Sequence, residues 1–219
     1  MATRALLAEL AAAFAQSVGA QVRVESVGGV DAARRVQAGE PFDFTVLAAD
    51  AIDQLAERGH LLADSKVDLA HSVVAVAVRR GEAWPDISSE DAVKRAVLSA
   101  RSIGYSTGPS GVALINLFER WGIAGEIGSR LVQAQPGVPV AALLARGDVA
   151  LGFQQLSELL NVEGVDVVGP LPAAIQIRTT FSAAICRSAQ QGAAAVRFLQ
   201  FSASPQAAGA KRRHGMEPA

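Results

Sequence analysis

The chain has 219 residues, of which half are hydrophobic and only 5% aromatic, and its formal net charge is −1. A chain of this length can bury a core without a disulfide or a structural metal, and its low aromatic content argues against a wide aromatic cleft. The balanced charge leaves no basic stripe of the kind that nucleic acids need, so we expect no nucleic-acid partner.

The sequence as written carries no membrane span or export signal. No apolar run approaches the ~18 residues that a membrane helix needs. The N-terminus lacks a basic region followed by an apolar stretch and a cleavage site. We therefore expect no membrane insertion, and a cytoplasmic location if the chain as given is complete. The single cysteine, Cys186, lies in an apolar run and is expected to be buried and unreactive.

Predicted helices and strands alternate along the chain, as judged by apolar spacing and β-branched runs. In chain order they are helix 5–16, strand 22–27, helix 32–38, strand 42–48, helix 51–58, strand 73–78, helix 88–100, strand 102–105, helix 111–121, helix 138–145, strand 149–153, helix 157–160, strand 165–168, strand 181–185 and helix 192–201, with a short helix from Pro205. This order predicts an α/β fold with parallel-type sheets covered on both faces.

The most informative segment is Y-S-T-G-P-S-G, which follows a predicted strand and opens a helix. Ser106, Thr107 and Ser110 offer hydroxyl groups, while Gly108 and Gly111 permit close approach of the backbone. A helix N-terminus adds free N–H groups and a positive dipole end, which together can hold an anion without a charged side chain. The alternative is a plain capping turn with Ser110 as the N-cap.

Two further strand ends carry candidate ligand-binding residues. Ser26, Gly28 and Gly29 lie in the turn S-V-G-G-V after the predicted strand 22–27, and ligands of parallel sheets gather at such carboxyl ends. Gln154 and Gln155 follow another strand, and their amides suit recognition of a carboxylate. The alternatives are a tight glycine turn of no chemical interest and surface glutamines.

Familiar catalytic signals are missing from the sequence. There is no Walker loop, nucleophile elbow or histidine pair at metal-ligand spacing, so we expect no metal, no cofactor and no side-chain nucleophile. Asp43 and Asp50 flank a strand, where helix capping or an inter-lobe contact explains them better than acid–base chemistry. If the protein is an enzyme, Glu158 or one of these aspartates is the candidate proton carrier.

With these elements in place, the chain resembles the molybdate-binding receptors of ABC transporters, which have the type II periplasmic binding protein fold. The stretches that carry the resemblance are E-L-A-A-A-F-A-Q-S-V-G-A-Q-V, A-R-R-V-Q-A-G-E-P-F-D-F-T-V-L-A-A-D and F-L-Q-F-S-A-S-P-Q-A-A-G-A-K-R-R-H-G. The resemblance implies two lobes joined by two crossing strands, here 73–78 and 181–186. Lobe one would be residues 1–76 and 184–219, and lobe two residues 77–183.

The resemblance is weaker at the ligand site. Receptors of this kind hold the oxyanion with serines in the first two loops and a tyrosine in the second lobe. The second-loop serines fall here on Gly28, Gly29 and Val30, and the tyrosine falls on Gln155. The first-loop serine falls at or just before Ala2, which makes Thr3 a candidate ligand.

The family's first strand has no counterpart in the sequence, which predicts an upstream start codon or a shortened chain. Each lost hydrogen bond to a charged group costs about 1.5–3 kcal/mol. The remaining donors therefore suit an organic carboxylate better than molybdate.

Three functions remain open at this point. The first is a periplasmic solute-binding protein, with location taken from the resemblance, that closes on a small oxyanion or organic carboxylate and delivers it to ABC-transporter membrane subunits. The second is a cytoplasmic isomerase or tautomerase of a small organic acid on the same fold. The third is a ligand-sensing module that works with a separate regulator.

Overall fold

A computed structural model describes residues 1–62 and 64–219 of the chain. The α-helices are α1 (Arg4–Val18), α2 (Gly29–Gln37), α3 (Ala49–Glu57), α4 (Glu90–Ser99), α5 (Pro109–Arg120), α6 (Ala124–Ile127), α7 (Val140–Arg146), α8 (Leu156–Leu159), α9 (Gly192–Ala203) and α10 (Ala208–Arg213). The strands are β1 (Phe44–Ala48), β2 (Val67–Arg79), β3 (Ile103–Tyr105), β4 (Leu131–Gln133), β5 (Leu151–Gln155), β6 (Val165–Pro170), β7 (Arg178–Ile185) and β8 (Met216–Pro218). The predicted α/β class is confirmed.

The chain divides into two compact units. Unit 1 comprises Met1–Ser72 and Thr179–Ala219, and unit 2 comprises Val73–Arg178. The chain therefore passes from unit 1 to unit 2 within β2 and returns at the start of β7.

The core of unit 1 forms between helix α1 and strands β1 and β7. Leu6, Leu10 and Phe14 of α1 recur at helical spacing and are buried. The ring of Phe14 packs edge to face on Phe198 of α9, with centroids 5.4 Å apart. Strand β1 pairs with β7 in antiparallel register, with Phe44 opposite Ile185. These contacts hold the two ends of the chain in one folded unit.

The predicted strand 22–27 is wrong. Residues 20–28 belong to no strand, and within the described structure the backbone of residues 20–27 makes no hydrogen bond to another backbone group. Val22 and Val24 are still partly buried against the unit 1 core, which explains the alternating sequence pattern. Alternation determines which side chains face the core, but a strand also needs a neighbouring strand, and here none pairs with this segment.

Unit 2 contains a mixed sheet. Strand β3 lies between β4 and β5 and is parallel to both, whereas β2 pairs with β5 and β6 in antiparallel register. The expectation of parallel strands therefore holds only for β3, β4 and β5.

Helix α7 packs unusually close to the β3–β5 pair in unit 2. Gly104 and Gly152 lie opposite each other in that pair. A Cβ atom on Gly152 would come within 2.7 Å of the Leu144 side chain. The absence of side chains at these two positions thus lets α7 lie directly on the sheet.

Among the residues that the structure describes, no helix is long and apolar enough to span a bilayer.

Candidate functional site

The sheet of unit 2 brings two of the predicted segments to one edge. Strands β3 and β5 are parallel neighbours, with Tyr105 opposite Phe153. Ser106 follows Tyr105, and Gln154 follows Phe153 as one of the last two residues of β5, so the two lie side by side at a strand spacing of about 4.8 Å. The hydroxyl-rich loop and the glutamine segment consequently lie at the same carboxyl edge, where ligands of such sheets gather.

The loop after β3 presents hydroxyl groups and backbone donors at the start of α5. The hydroxyl groups of Ser106 and Ser110 lie 3.2 Å apart. Gly108, not Ser110, is the N-cap of α5, and its carbonyl accepts the N–H of Gly111 at 2.9 Å. Ser110 is thus the second helical residue, and its backbone N–H donates to no protein group in the described structure. The twelve-residue helix α5 adds a positive dipole end, so the loop can bind an anionic group.

Gly111 fixes the shape of this loop. A Cβ atom at this position would lie 1.8 Å from the carbonyl oxygen of Ser106 and 2.8 Å from its carbonyl carbon. Real atoms do not approach so closely, so only glycine allows the loop to fold back on the first turn of α5. Gly108, in contrast, faces open space.

Gln154 is buried, with 3% of its surface exposed. Its side-chain oxygen accepts the backbone N–H of Ala141, in the first turn of α7, at 3.3 Å. Gln154 therefore joins β5 to α7 inside the protein and is not a surface glutamine. Gln155 is buried as well, at 4% exposure.

Glu158 is the acidic group of this segment. It lies half-buried on α8, one turn after the end of β5. Burial raises the pKa of the Glu158 carboxyl above its usual value. The buried hydroxyl of the neighbouring Ser157 has no hydrogen-bond partner in the described structure. A half-buried carboxyl group with a raised pKa is suited to accept and return a proton.

Unit 1 holds the remaining predicted ligand residues at two helix N-termini. Thr3 is the N-cap residue of α1, and Gly28 is the N-cap of α2, with Gly29 as its first helical residue and the half-buried Ser26 just before it. Asp31 already places a carboxylate in the first turn of α2, paired with Arg34 at 2.8 Å. That negative charge competes with an anionic ligand at this helix end.

The structure thus brings together the candidates of unit 2: Ser106, Thr107, Gly108, Ser110, Gly111, Gln154 and Gln155. Convergence of this group with Thr3, Ser26, Gly28 and Gly29 stays a prediction. Sequence reasoning missed the role of Ala141, because every residue except proline has a backbone N–H and the residue type does not show which one binds a side chain. It also missed Lys211, which is buried with 1% exposure on α10.

In the described residues, no group of three or more histidine, cysteine or acidic side chains is arranged to hold a metal ion.

Comparison with known proteins identifies the class to which this fold and site belong. The family model described as bacterial extracellular solute-binding protein matches residues 1–217. The chain is a member of that bacterial solute-binding protein family.

Individual relatives refine this assignment. The chain is 38% identical over 216 residues to a protein named aconitate isomerase from a Pseudomonas species, covering 96% of this chain and 82% of that protein. Its fold is similar to the periplasmic molybdate-binding protein of Azotobacter vinelandii, with a TM-score of 0.81, 21% identity and coverage of 98% and 94% of the two chains. Peb3 from Campylobacter jejuni gives a TM-score of 0.75, 13% identity and coverage of 100% and 96%. The type II periplasmic binding fold implied by the sequence is confirmed.

Proposed function

We propose that this protein binds a small unsaturated polycarboxylate of the aconitate type and isomerises it by moving a proton. The observation that carries the proposal is the half-buried Glu158 carboxyl at the same sheet edge as the Ser110 backbone N–H and the hydroxyl groups of Ser106 and Ser110. The 38% identity to a protein named aconitate isomerase supports this choice of substrate. This activity is compatible with the solute-binding role of the family, because the ligand must be bound before it can react.

The proposed reaction balances without a cofactor. Aconitate carries a methylene group next to a carbon–carbon double bond. The Glu158 carboxylate removes a methylene proton, the electrons of that C–H bond form a new double bond, and the far carbon of the old double bond takes a proton from the Glu158 carboxyl group, whose proton exchanges with solvent. Glu158 returns to its starting form, and the new double bond can have the other geometry. The hydroxyl and N–H groups of the loop bind the substrate carboxylates and stabilise the charge that develops on them.

The direct test is interconversion of the two aconitate isomers in D₂O, followed by ¹H NMR. We expect the purified protein to interconvert them and to incorporate solvent deuterium at the methylene and vinyl carbons. Glu158→Gln should reduce turnover by about 100-fold or more while ligand affinity is kept. Glu163→Gln, which changes an exposed carboxylate only five residues away, is the matched control and should leave turnover unchanged. Unchanged turnover in Glu158→Gln would remove the proposed role of that residue.

A second candidate function is a periplasmic receptor that delivers a small oxyanion or organic carboxylate to ABC-transporter membrane subunits. The family description and the fold shared with a molybdate-binding protein favour it. A thermal-shift screen against molybdate, tungstate, sulfate and a panel of di- and tricarboxylates separates the candidates. A ligand at 100 times its Kd stabilises a protein by about 2.7 kcal/mol, which is readily visible. Stabilisation by oxyanions alone, with no turnover of aconitate, would support the receptor and reject the isomerase.

A further inference from the structure

We propose that Ser110 is a positioning residue, whose hydroxyl group holds the Ser106 hydroxyl in the orientation that donates a hydrogen bond to a carboxylate of the substrate. This inference rests on the proposed function, in which the loop after β3 binds a substrate carboxylate. It goes beyond that function because it gives the two serine side chains different roles. The Ser106 hydroxyl contacts the ligand, whereas the Ser110 hydroxyl acts through Ser106.

The Ser106 side chain lies over the first turn of α5. Its Oγ atom is 3.2 Å from Oγ of Ser110. A Cβ atom on Gly111 would also lie 3.2 Å from Oγ of Ser106, so this hydroxyl packs closely against the start of the helix. The backbone N–H of Ser110, which donates to no protein group in the described structure, belongs to the same turn. The turn thus presents a hydroxyl and an N–H as neighbouring donors, which suits the two oxygens of a carboxylate.

The difference in burial between the two serines sets the direction of their hydrogen bond. Ser110 is 7% exposed, whereas Ser106 is only half-buried. Among the described residues, the Ser110 hydroxyl hydrogen-bonds to Ser106 and to no other group. A buried hydroxyl proton without an acceptor is costly, so Ser110 donates and Ser106 accepts. The Ser106 proton therefore stays available for an acceptor outside the protein, as binding of a carboxylate requires.

Donation from Ser110 prepares Ser106 for the ligand in two ways. A hydroxyl that accepts one hydrogen bond is polarised and becomes a stronger donor in the next. The same bond holds the Ser106 side chain in one rotamer before the ligand arrives, so less rotational freedom is lost on binding. Removal of the Ser110 hydroxyl should therefore weaken binding although the ligand need not touch it.

The test is a double-mutant cycle on Ser106 and Ser110. The probe is propane-1,2,3-tricarboxylate, an analogue of aconitate that has no double bond and cannot isomerise. Its Kd is measured by calorimetry for the wild type, the two single alanine variants and the double variant. Alanine at position 110 keeps the backbone N–H, so only the hydroxyl is removed.

We expect Ser110→Ala to weaken binding about tenfold in the wild-type background. In the Ser106→Ala background the same change should weaken binding less than about twofold, because no hydroxyl is left to position. An equal loss in both backgrounds would show that the Ser110 hydroxyl acts independently of Ser106 and would overturn the proposal. Unchanged affinity in Ser110→Ala would overturn it as well.

Ser89→Ala is the matched control for loss of a serine at a helix start. Ser89 is the N-cap of α4 in the same unit, and its hydroxyl accepts the N–H of Ala92 at 3.2 Å. The next residue, Glu90, accepts a hydrogen bond from Trp121, at the opposite end of α5 from Ser110. Ser89→Ala should lower the Tm without changing the Kd of the tricarboxylate. A loss of affinity equal to that of Ser110→Ala would contradict a specific role for Ser110.

The rotamer of Ser106 gives a readout that needs no ligand. The three-bond Hα–Hβ NMR couplings of Ser106 should indicate one rotamer in the wild type and averaging among several in Ser110→Ala. Averaged couplings in the wild type would overturn the positioning role, even if Ser110→Ala does not fold. One rotamer in the wild type and several in Ser110→Ala, in a protein that binds no tricarboxylate, would uphold the positioning of Ser106 and reject the proposed function. The two failures are therefore distinguishable.

Discussion

Replacement of Gly111 by alanine tests whether the tight loop before α5 is required by the fold. The added Cβ would lie 1.8 Å from the carbonyl oxygen of Ser106, whereas ordinary contact begins near 3.4 Å. The carbonyl must therefore retreat by roughly 1.6 Å, or the helix must shift by the same amount. Such overpacking costs about 1–3 kcal/mol, and the helix preference of alanine offsets at most about 1 kcal/mol of it.

We expect Gly111→Ala to lower the free energy of unfolding by about 2 kcal/mol. In a chain of this size that corresponds to a fall in Tm of about 4–8 °C, measured by circular dichroism. Gly125→Ala is the control, because Gly125 lies in the short helix α6 with no atom within 4 Å of the added Cβ. Its Tm should stay constant or rise slightly. A Gly111→Ala protein that melts within about 1 °C of the wild type would refute the argument.

Three further predictions concern unit 1. Lys211→Met should raise the free energy of unfolding by about 1 kcal/mol near neutral pH, because burial lowers the pKa of Lys211 and disfavours its charged form. The difference in free energy of unfolding between variant and wild type should become smaller as the pH approaches 10.5, because the unfolded lysine also loses its proton there. Denaturant titrations at several pH values measure this gain. Asp43→Ala should lower the free energy of unfolding by about 1–2 kcal/mol, because the Asp43 carboxylate accepts the N–H groups of Gln190 (2.9 Å) and Gln191 (2.7 Å) just before α9. An unchanged midpoint in the denaturant titration would show that Asp43 does not stabilise the start of this helix. Cys186 should not react with iodoacetamide at pH 8 until the protein unfolds, because burial and the nearby Asp43 raise the pKa of its thiol to about 11. Labelling is measured by mass spectrometry, and rapid labelling of the native protein would contradict this prediction.

The sequence predicted the α/β class because apolar periodicity reports which side chains face a core. The prediction of a strand at residues 22–27 was wrong for the same reason. Val22 and Val24 do pack on the core, but apolar periodicity contains no information about a neighbouring strand that could pair with this segment. The parallel sheet was only partly predictable. Alternation of strands and helices indicates β3 and β5 correctly, but no strand was predicted at β4. Strand β2 pairs with β5 in antiparallel register, and strand direction depends on the whole path of the chain.

The candidate site was predictable to a similar degree. Glycine and serine at a strand-to-helix junction led directly to residues 106–111, because these residue types suit a tight loop with exposed donors. The environment of Gln154 was not predictable, since its partner Ala141 contributes only a backbone N–H. Lys211 lies beside Ala210 and one turn after Ala207 on the buried side of its helix, so spacing favoured burial while its charge argued for exposure.

The burial of Cys186 makes the natural chain a convenient background for labelling. It is the chain's one cysteine, and burial keeps its thiol protonated at ordinary working pH. A cysteine introduced at an exposed position in each unit could therefore accept a fluorophore without prior removal of the natural thiol. Energy transfer between two such dyes, recorded with and without tricarboxylate, would report directly on whether the ligand changes the distance between the units.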